Sequence, residues 1–152
     1  MSPAAFVDAN VPIYAAGKEH PNKGPCAQIL MMAAEHPLSF VTDAEVLQEL
    51  LHRYLAVRRW KLGGEVVNTF AEVMHDRVEP VYVEDIMAAA GLADKYQSVS
   101  ARDLVHAAVM NRLRIDRIVS SDTDFDRLPG ITRLDPSNVD DWAESVLTRE
   151  GE

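Results

Sequence analysis

Four carboxylates in this sequence stand where a hydrophobic segment meets a polar turn: Asp8, Glu49, Asp103 and Asp122, with Asp124 close behind. Carboxylates gathered in one pocket repel one another and raise each other's pKa unless a cation neutralises them. A hard divalent ion such as Mg²⁺ is a suitable counter-charge because it prefers oxygen ligands. The pattern therefore predicts metal-dependent phosphoryl-transfer chemistry, provided that the fold brings these distant residues together.

Short apolar segments that alternate with longer segments of helical periodicity predict such a fold. Strands are expected at about residues 4–7, 38–41, 78–83, 117–120 and 131–134. Helices are expected from about residue 11 and at about 26–35, 42–59, 65–76, 84–96, 100–113 and 139–147. Strands separated by helices are typical of an α/β fold with a central, mainly parallel sheet of short strands flanked by helices. Ligands bind at the carboxyl ends of the strands in such sheets.

Two of the acids lie on predicted helices whose starts are marked in the sequence. The segments 42–45 and 100–103 both have the form of a capping box, with Thr42 and Ser100 as the capping residues. Glu49 borders an apolar stripe on the first of these helices. The stripe consists of Val46, Leu47, Leu50, Leu51, Tyr54 and Leu55. A glutamate buried beside it would need a partner or a metal, because an unpaired buried charge is costly.

Length and composition narrow the class of protein. A chain of 152 residues that is 47% hydrophobic and 26% charged is expected to form one globular domain over residues 1–152. No apolar run approaches the roughly 18 residues of a membrane span. The N-terminus lacks the features of a secretory signal, so a cytoplasmic location without membrane contact is expected. Cys26 is the only cysteine, which excludes an internal disulfide and a cysteine-built zinc site.

The formal net charge of −9 argues, by itself, against a nucleic-acid binder, because phosphate binding usually needs a basic face. That objection weakens if several acids hold metal ions, since bound cations reverse the local field. The same acidity would suit a basic polypeptide that covers an acidic groove. Net charge alone therefore does not distinguish a nucleic-acid partner from a basic polypeptide partner.

Each acidic residue, taken singly, also has an ordinary structural explanation. Asp8, Asp122 and Asp124 lie in predicted turns, where aspartate is common. Asp103 lies in the first turn of a predicted helix, where unpaired amides and the helix dipole favour an acid. Glu49 could extend its carboxylate into solvent. Only the joint pattern indicates a metal site.

That joint pattern resembles the PIN domain. The segment Phe6-Val7-Asp8-Ala9-Asn10-Val11 and the segment 46–50 around Glu49 resemble the front half of this family. Residues 100–108 (Ser-Ala-Arg-Asp-Leu-Val-His-Ala-Ala) and 119–125 (Val-Ser-Ser-Asp-Thr-Asp-Phe) resemble the back half. The likeness covers roughly residues 6–134, and the size is most similar to the VapC toxins of VapBC toxin–antitoxin modules. It implies an endoribonuclease that uses Mg²⁺ or Mn²⁺ to cleave single-stranded or structured RNA.

By position, the resemblance assigns roles to individual residues. The catalytic acids and metal ligands are Asp8, Glu49, Asp103 and Asp122. Asp124 matches an auxiliary metal-binding acid, and Asn10 matches a polar residue that orients Asp8. Asp8 and Asp103 are the first choices for direct ligands, whereas Glu49 and Asp122 would complete the shell or position the water. Ala9 departs from the family, in which many members carry Thr or Ser, so a secondary hydrogen bond is expected to be missing.

The implied chemistry needs no histidine base. One or two Mg²⁺ ions held by the carboxylates would lower the pKa of bound water and supply a hydroxide-like nucleophile. A second ion about 4 Å away would stabilise the departing oxygen. The resemblance also implies a homodimer and a cognate VapB-type antitoxin that lays a segment into the active groove. An arginine of that segment, on reaching the carboxylates, would displace the metal and inhibit cleavage.

Three alternatives remain open from the sequence. A PIN-type nuclease of RNA processing would have the same chemistry without a toxic role, and an antitoxin reading frame immediately upstream would separate the two. A phosphoacceptor signalling domain would need a paired acidic residue early in the chain and a lysine after a late strand. It is disfavoured, because Asp8 has no acidic neighbour and no lysine follows Lys95. A non-catalytic binding module is hinted at by Ala9, but the complete acidic quartet argues against it.

Two further features have competing interpretations. Arg53, Arg58, Arg59, Trp60 and Lys61 cluster at the predicted end of the Glu49 helix. They could bind RNA phosphates and stack on a base, but cations at a helix C-terminus and a packed tryptophan are the favoured explanation. His106 follows Asp103 on the same helical surface. A hydrogen-bonded structural histidine is favoured there over a metal ligand.

Overall fold

Five short strands form one sheet in the computed structural model, which describes residues 4–147. The strands are β1 (Ala5–Val7), β2 (Phe40–Asp43), β3 (Val78–Glu79), β4 (Arg117–Val119) and β5 (Thr132–Leu134). Their order across the sheet is β3-β2-β1-β4-β5, and every neighbouring pair is parallel. The predicted α/β fold with a parallel sheet is confirmed. Pro80 directly follows β3, which lies at an edge of the sheet.

Seven α-helices flank the sheet within the described residues. They are α1 (Asn10–Ala16), α2 (Lys23–Glu35), α3 (Ala44–Ala56), α4 (Trp60–Val73), α5 (Val83–Ala93), α6 (Ala101–Leu113) and α7 (Val139–Leu147). The described part of the chain also has three short 3₁₀ turns, at Pro37–Ser39, Thr123–Arg127 and Pro136–Asn138. Within residues 4–147 no helix is both long enough and apolar enough to cross a lipid bilayer.

The strand order reverses at β1. The chain leaves β1 to build β2 and β3 on one side, and later adds β4 and β5 on the other. Phe6 is opposite Val41 on β2 and opposite Ile118 on β4. At such a reversal the connections leave in opposite directions, and a crevice opens at the carboxyl ends of the strands. Asp8 and Ser120 are the first residues beyond β1 and β4, so both lie at that crevice.

The core forms around β1 and α6. All three residues of β1 are fully buried, as expected for a central parallel strand that is covered on both faces. Eight successive residues of α6, from Asp103 to Met110, are also buried. A helix buried on every side lies inside the molecule rather than on its surface. Polar residues on α6 therefore need partners within the protein.

The capping residue predicted for α3 is wrong. Thr42 does not cap the helix, because it belongs to β2 and its hydroxyl donates to the Val7 carbonyl oxygen at 2.8 Å. Asp43 is the cap instead, accepting a hydrogen bond from the Val46 amide at 2.9 Å. Within the apolar stripe of α3, Leu51 and Leu55 are 42% and 53% exposed. A helix that lies at the surface buries a narrower stripe than its apolar residues alone suggest.

The chain turns between α3 and α4 earlier than predicted. α3 ends at Ala56 rather than near residue 59, and α4 begins at Trp60 rather than residue 65. Arg58, with φ of +58°, adopts the left-handed conformation at this turn. Gly63 and Gly64 lie inside α4 instead of preceding it. A Cβ on Gly63 would lie 2.3 Å from Cβ of Tyr54, so the missing side chain permits the close approach of α4 to α3.

Candidate metal centre

Asp8 is held in place by hydrogen bonds at the carboxyl end of β1. Its Oδ1 accepts from the Ala9 amide at 2.8 Å. Its Oδ2 accepts from Asn10 Nδ2 at 3.0 Å and from the Ser120 hydroxyl at 2.6 Å. The residue is only 3% exposed. Fixed donors therefore orient a nearly buried carboxylate in the crevice between β1 and β4.

Asn10 and Ser120 form a small network around Asp8. Asn10 Nδ2 also donates to Ser120 Oγ at 2.9 Å, and Asn10 Oδ1 accepts from the Ser121 amide at 3.2 Å. Asn10 is the first residue of α1, which therefore begins one residue before the predicted start at about residue 11. Ser120 was missed by the sequence analysis, although it follows β4 as Asp8 follows β1. Ala9 brings no hydroxyl, and the hydroxyl that reaches Asp8 belongs to Ser120.

Asp8, Glu49 and His106 form a first group of possible ligands, whose donor atoms all lie within 4.8 Å of one another. His106 Nε2 is 3.8 Å from Asp8 Oδ1 and 3.8 Å from Glu49 Oε1. The Glu49 side chain is 22% exposed and the His106 side chain is fully buried. Glu49 therefore faces the crevice from α3, and the fully buried His106 lines the crevice from α6.

Asp43 fixes His106 from the other side. His106 Nδ1 is 2.9 Å from Asp43 Oδ2, and the other oxygen of Asp43 caps α3 at the Val46 amide. Asp43 is fully buried. The hydrogen bond predicted for His106 is present, but the importance of Asp43 was missed. The available signal was that Asp43 ends β2, in the same way that Asp8 follows β1.

Asp103, Asp122 and Asp124 form a second group of possible ligands, whose donor atoms also lie within 4.8 Å of one another. Ser100 caps α6 as predicted, accepting from the Asp103 amide at 3.2 Å. Asp122 Oδ1 accepts from the Asp124 amide at 2.9 Å. The Asp122 amide in turn donates to Ser120 Oγ at 3.0 Å. Ser120 therefore links the second group to Asp8 of the first.

The two groups share one electrostatic environment. Burial, the charge of Asp8 and the adjacent Asp122 raise the pKa of Asp103 to about 8. Burial, together with the charge of Glu49, raises the pKa of Asp8. Burial lowers the pKa of His106, but the surrounding carboxylates of Asp43, Glu49 and Asp8 outweigh it, so that pKa lies well above its usual value. Carboxylates that raise one another's pKa in this way are in need of a cation.

The donor set fits a divalent metal ion. Carboxylate oxygens supply most of the donors, which suits a hard cation. In addition, the buried Nε2 of His106 has no hydrogen-bond partner among residues 4–147. Buried polar atoms are nearly always satisfied, and an exception calls for an explanation such as an ion. The structure thus brings together all five acids that the sequence singled out, Asp8, Glu49, Asp103, Asp122 and Asp124.

The basic cluster lies at the turn between α3 and α4. Arg58 and Arg59 occupy the turn itself, and Trp60 begins α4. All three are exposed, with Trp60 at 41%. The indole of Trp60 also lies within 4 Å of where a Cβ on Gly63 or Gly64 would be. Trp60 therefore lies along the first turns of α4 while staying partly exposed, and RNA binding by this cluster stays an untested alternative.

Comparison with known proteins gives consistent matches. The PIN domain family model matches residues 5–131. Ribonuclease VapC13 of Mycobacterium tuberculosis is 41% identical over 129 residues, covering 85% of this chain and 98% of the relative. Ribonuclease VapC23 of the same species is 35% identical over 117 residues, covering 77% of this chain and 91% of the relative.

Solved structures share the fold at lower identity. Mycobacterium tuberculosis VapC20, described as a Sarcin-Ricin loop cleaving toxin, aligns with a TM-score of 0.65 and 20% identity over 83% of this chain and 95% of its own. VapBC2 from Rickettsia felis, bound to a DNA fragment from its promoter, aligns with a TM-score of 0.66 and 13% identity over 87% of this chain and 98% of that one.

Proposed function

The chain belongs to the PIN-domain family and, within it, to the VapC ribonucleases, and from this premise we propose that it is a metal-dependent endoribonuclease. The observation that carries the proposal is the pair of adjoining ligand groups at the carboxyl ends of β1 and β4. Burial and the neighbouring carboxylates of Asp8 and Asp122 raise the pKa of Asp103 to about 8. Such a site is poised to bind a divalent cation and, through it, a phosphodiester.

We assign the residues as follows. The metal ligands and catalytic acids are Asp8, Glu49, Asp103 and Asp122, with Asp124 as an additional ligand. Asn10 and Ser120 hold the Asp8 carboxylate in a fixed orientation through Oδ2. When bound, Mg²⁺ or Mn²⁺ supplies positive charge to the phosphate and lowers the pKa of the attacking water.

The substrate is RNA, and the partner is a VapB-type antitoxin. The relatives are named as VapC ribonucleases, and a structural neighbour is a toxin–antitoxin complex from Klebsiella pneumoniae. The net charge of −9 and the acidic crevice suit a basic antitoxin segment. On this proposal the chain is a toxin that forms a homodimer, acts in the cytoplasm where its RNA substrate is found, and consists of one PIN domain over residues 1–152.

The proposal is tested by incubating the purified, antitoxin-free protein with total cellular RNA in Mg²⁺, in Mn²⁺ and in EDTA. We expect cleavage in both metals and none in EDTA. Asp8→Asn should abolish cleavage without unfolding the protein, because an amide keeps the shape of the carboxylate but removes its charge. Asp126→Asn is the matched control, since Asp126 is exposed and pairs only with Arg133 among the described residues.

The two variants distinguish RNA cleavage by this protein from cleavage by a contaminating nuclease. Cleavage that is lost in Asp8→Asn but retained in Asp126→Asn supports the nuclease and its site. Equal cleavage by both variants would remove Asp8 from the mechanism. Failure of the wild-type protein to bind Mg²⁺ or Mn²⁺ at all, measured by calorimetry, would overturn the proposal.

A further inference from the structure

His106 has more carboxylate neighbours than a histidine with a purely structural role requires. Nδ1 has a full hydrogen bond to Asp43, which satisfies one of the two ring nitrogens and is enough to hold the ring in place. Nε2 nevertheless faces two carboxylates, Asp8 and Glu49, at 3.8 Å each. That separation is too long for a hydrogen bond. Since metal–ligand bonds to nitrogen and oxygen measure about 2.1 Å, one ion could contact both atoms across such a gap.

On the basis of the proposed function, we propose that His106 Nε2 is itself a metal ligand, completing a mixed nitrogen and oxygen site with Asp8 and Glu49. The second group, Asp103, Asp122 and Asp124, contains oxygen donors alone. The centre then offers two chemically unequal positions. Only the first of them contains a donor other than a carboxylate.

Asp43 is the positioning residue for this ligand. A ligating imidazole must present a lone pair, so its proton has to reside on the other nitrogen. A carboxylate at 2.9 Å from Nδ1 accepts that proton's hydrogen bond and leaves Nε2 free to bind. Asp43 cannot rotate away, because its other oxygen caps α3 at the Val46 amide. The arrangement is a carboxylate–histidine pair aimed at the Asp8 and Glu49 carboxylates.

The nitrogen donor changes which ion is preferred at this position. Mg²⁺ favours oxygen ligands and near-ideal octahedral geometry. Imidazole suits divalent first-row transition ions better than it suits Mg²⁺. The Asp8, Glu49 and His106 position should therefore select a transition ion such as Mn²⁺, while the all-oxygen position accepts Mg²⁺.

The test is pulsed electron paramagnetic resonance of the full-length protein loaded with Mn²⁺. A directly bound imidazole gives modulation of the electron spin echo from the ¹⁴N nucleus, which carboxylates cannot produce. We expect this nitrogen signal in the wild-type protein. Incorporating ¹⁵N-histidine should change the signal, which would identify a histidine as its source. This measurement reports the ligand without requiring any variant to fold or any RNA to be cleaved.

Three variants assign the signal. In His106→Asn, the shorter amide can still donate to Asp43 but lacks Nε2, so the nitrogen signal should disappear and Mn²⁺ affinity should fall by at least about 10-fold. In Asp43→Asn, the amide oxygen still caps α3, but its NH₂ faces Nδ1 and forces the proton onto Nε2. That change should weaken Mn²⁺ binding by about 10- to 100-fold and Mg²⁺ binding by less. His75→Asn, at an exposed histidine, should leave the signal unchanged.

The outcomes distinguish this inference from the proposed function. Mn²⁺ binding with a nitrogen signal that His106→Asn abolishes supports a histidine ligand. Mn²⁺ binding without any nitrogen signal overturns the histidine ligand, and it leaves the metal-dependent nuclease standing. No binding of Mn²⁺ or Mg²⁺ overturns both. Equal losses of Mn²⁺ and Mg²⁺ affinity in Asp43→Asn would contradict the predicted preference for a transition ion.

Discussion

At the scale of single residues, the site depends on hydroxyl and amide groups as much as on its acids. Ser120 Oγ donates to Asp8 and accepts from Asn10 Nδ2 and from the Asp122 amide. One buried hydroxyl therefore orients the first ligand group and links it to the second. A carboxylate ligand without such support would have several orientations, and metal affinity would fall accordingly.

Removing this hydroxyl provides a prediction at the residue scale. Ser120→Ala leaves the Asp122 amide without its acceptor and removes one of the two acceptors of Asn10 Nδ2, a cost of about 1–3 kcal/mol in stability. Metal affinity should fall by about 10- to 100-fold, because Asp8 loses a donor that fixes its orientation. Calorimetric titration with Mn²⁺ measures the affinity, and thermal unfolding measures the stability.

Ser121→Ala is the matched control for Ser120→Ala. The contact of residue 121 with Asn10 uses the backbone amide, which alanine keeps. Metal binding should therefore be unchanged in Ser121→Ala. If the two serine variants bind Mn²⁺ equally well, Ser120 has no part in positioning the ligands.

At the scale of elements, α3 carries Glu49 into the site, and its position depends on how closely α4 approaches it. Tyr54, one turn beyond Glu49, is buried against Gly63 of α4. Asp43 caps the start of the same helix. The placement of Glu49 is thus determined by a polar cap at one end of α3 and by a close helix contact near the other.

Two adjacent glycines of α4 allow this contact to be tested. Gly63→Ala would place its Cβ 2.3 Å from Cβ of Tyr54, and overpacking of this kind typically costs about 1–3 kcal/mol. Gly64→Ala meets only the Trp60 indole, at 3.8 Å, and alanine is the better helix former by about 1 kcal/mol. Denaturant unfolding should therefore show a less stable Gly63 variant and a slightly more stable Gly64 variant. Destabilisation of both to the same extent would argue against the close approach.

At the scale of the whole molecule, the acidic centre should make stability depend on pH and on metal. A carboxyl whose pKa is raised by folding stabilises the folded state fully below its unfolded pKa, and that contribution is lost as pH rises through the folded pKa. For Asp103 this window extends from 3.8 to about 8. Without metal, the folded protein should therefore become less stable as pH rises through this range.

Thermal unfolding in EDTA tests this expectation. The melting temperature of the wild-type protein should fall between about pH 4 and pH 8. Asp103→Asn has no carboxyl to ionise, so its melting temperature should fall less, and at pH 8 it should exceed the wild-type value. A gain of about 1 kcal/mol corresponds to about 2–4 °C in a domain of this size. In saturating Mn²⁺ the wild-type protein should have the higher melting temperature of the two, because only the wild-type protein retains the Asp103 ligand.

Much of the fold could be predicted because its signals are local. Short apolar segments, the helical periodicity between them and the Ser100 cap each depend on neighbours within a few residues, and they predicted a parallel α/β sheet. The predictions failed where a contact between elements overrode the local pattern. Thr42 proved to be a strand residue and Asp43 the cap of α3, and Gly63 proved to be a packing position inside α4.

The sequence by itself showed which acids lie near the ends of elements and which one borders an apolar helical stripe, and so it identified Asp8, Glu49, Asp103, Asp122 and Asp124 as candidates whose roles stay predictions. Only the tertiary structure decided their partners. Ser120 and Asp8 are 112 residues apart in the chain, and His106 and Asp43 are 63 apart. Such pairings depend on strand order and parallel register, since these determine which strand ends become neighbours. No local pattern contains that information.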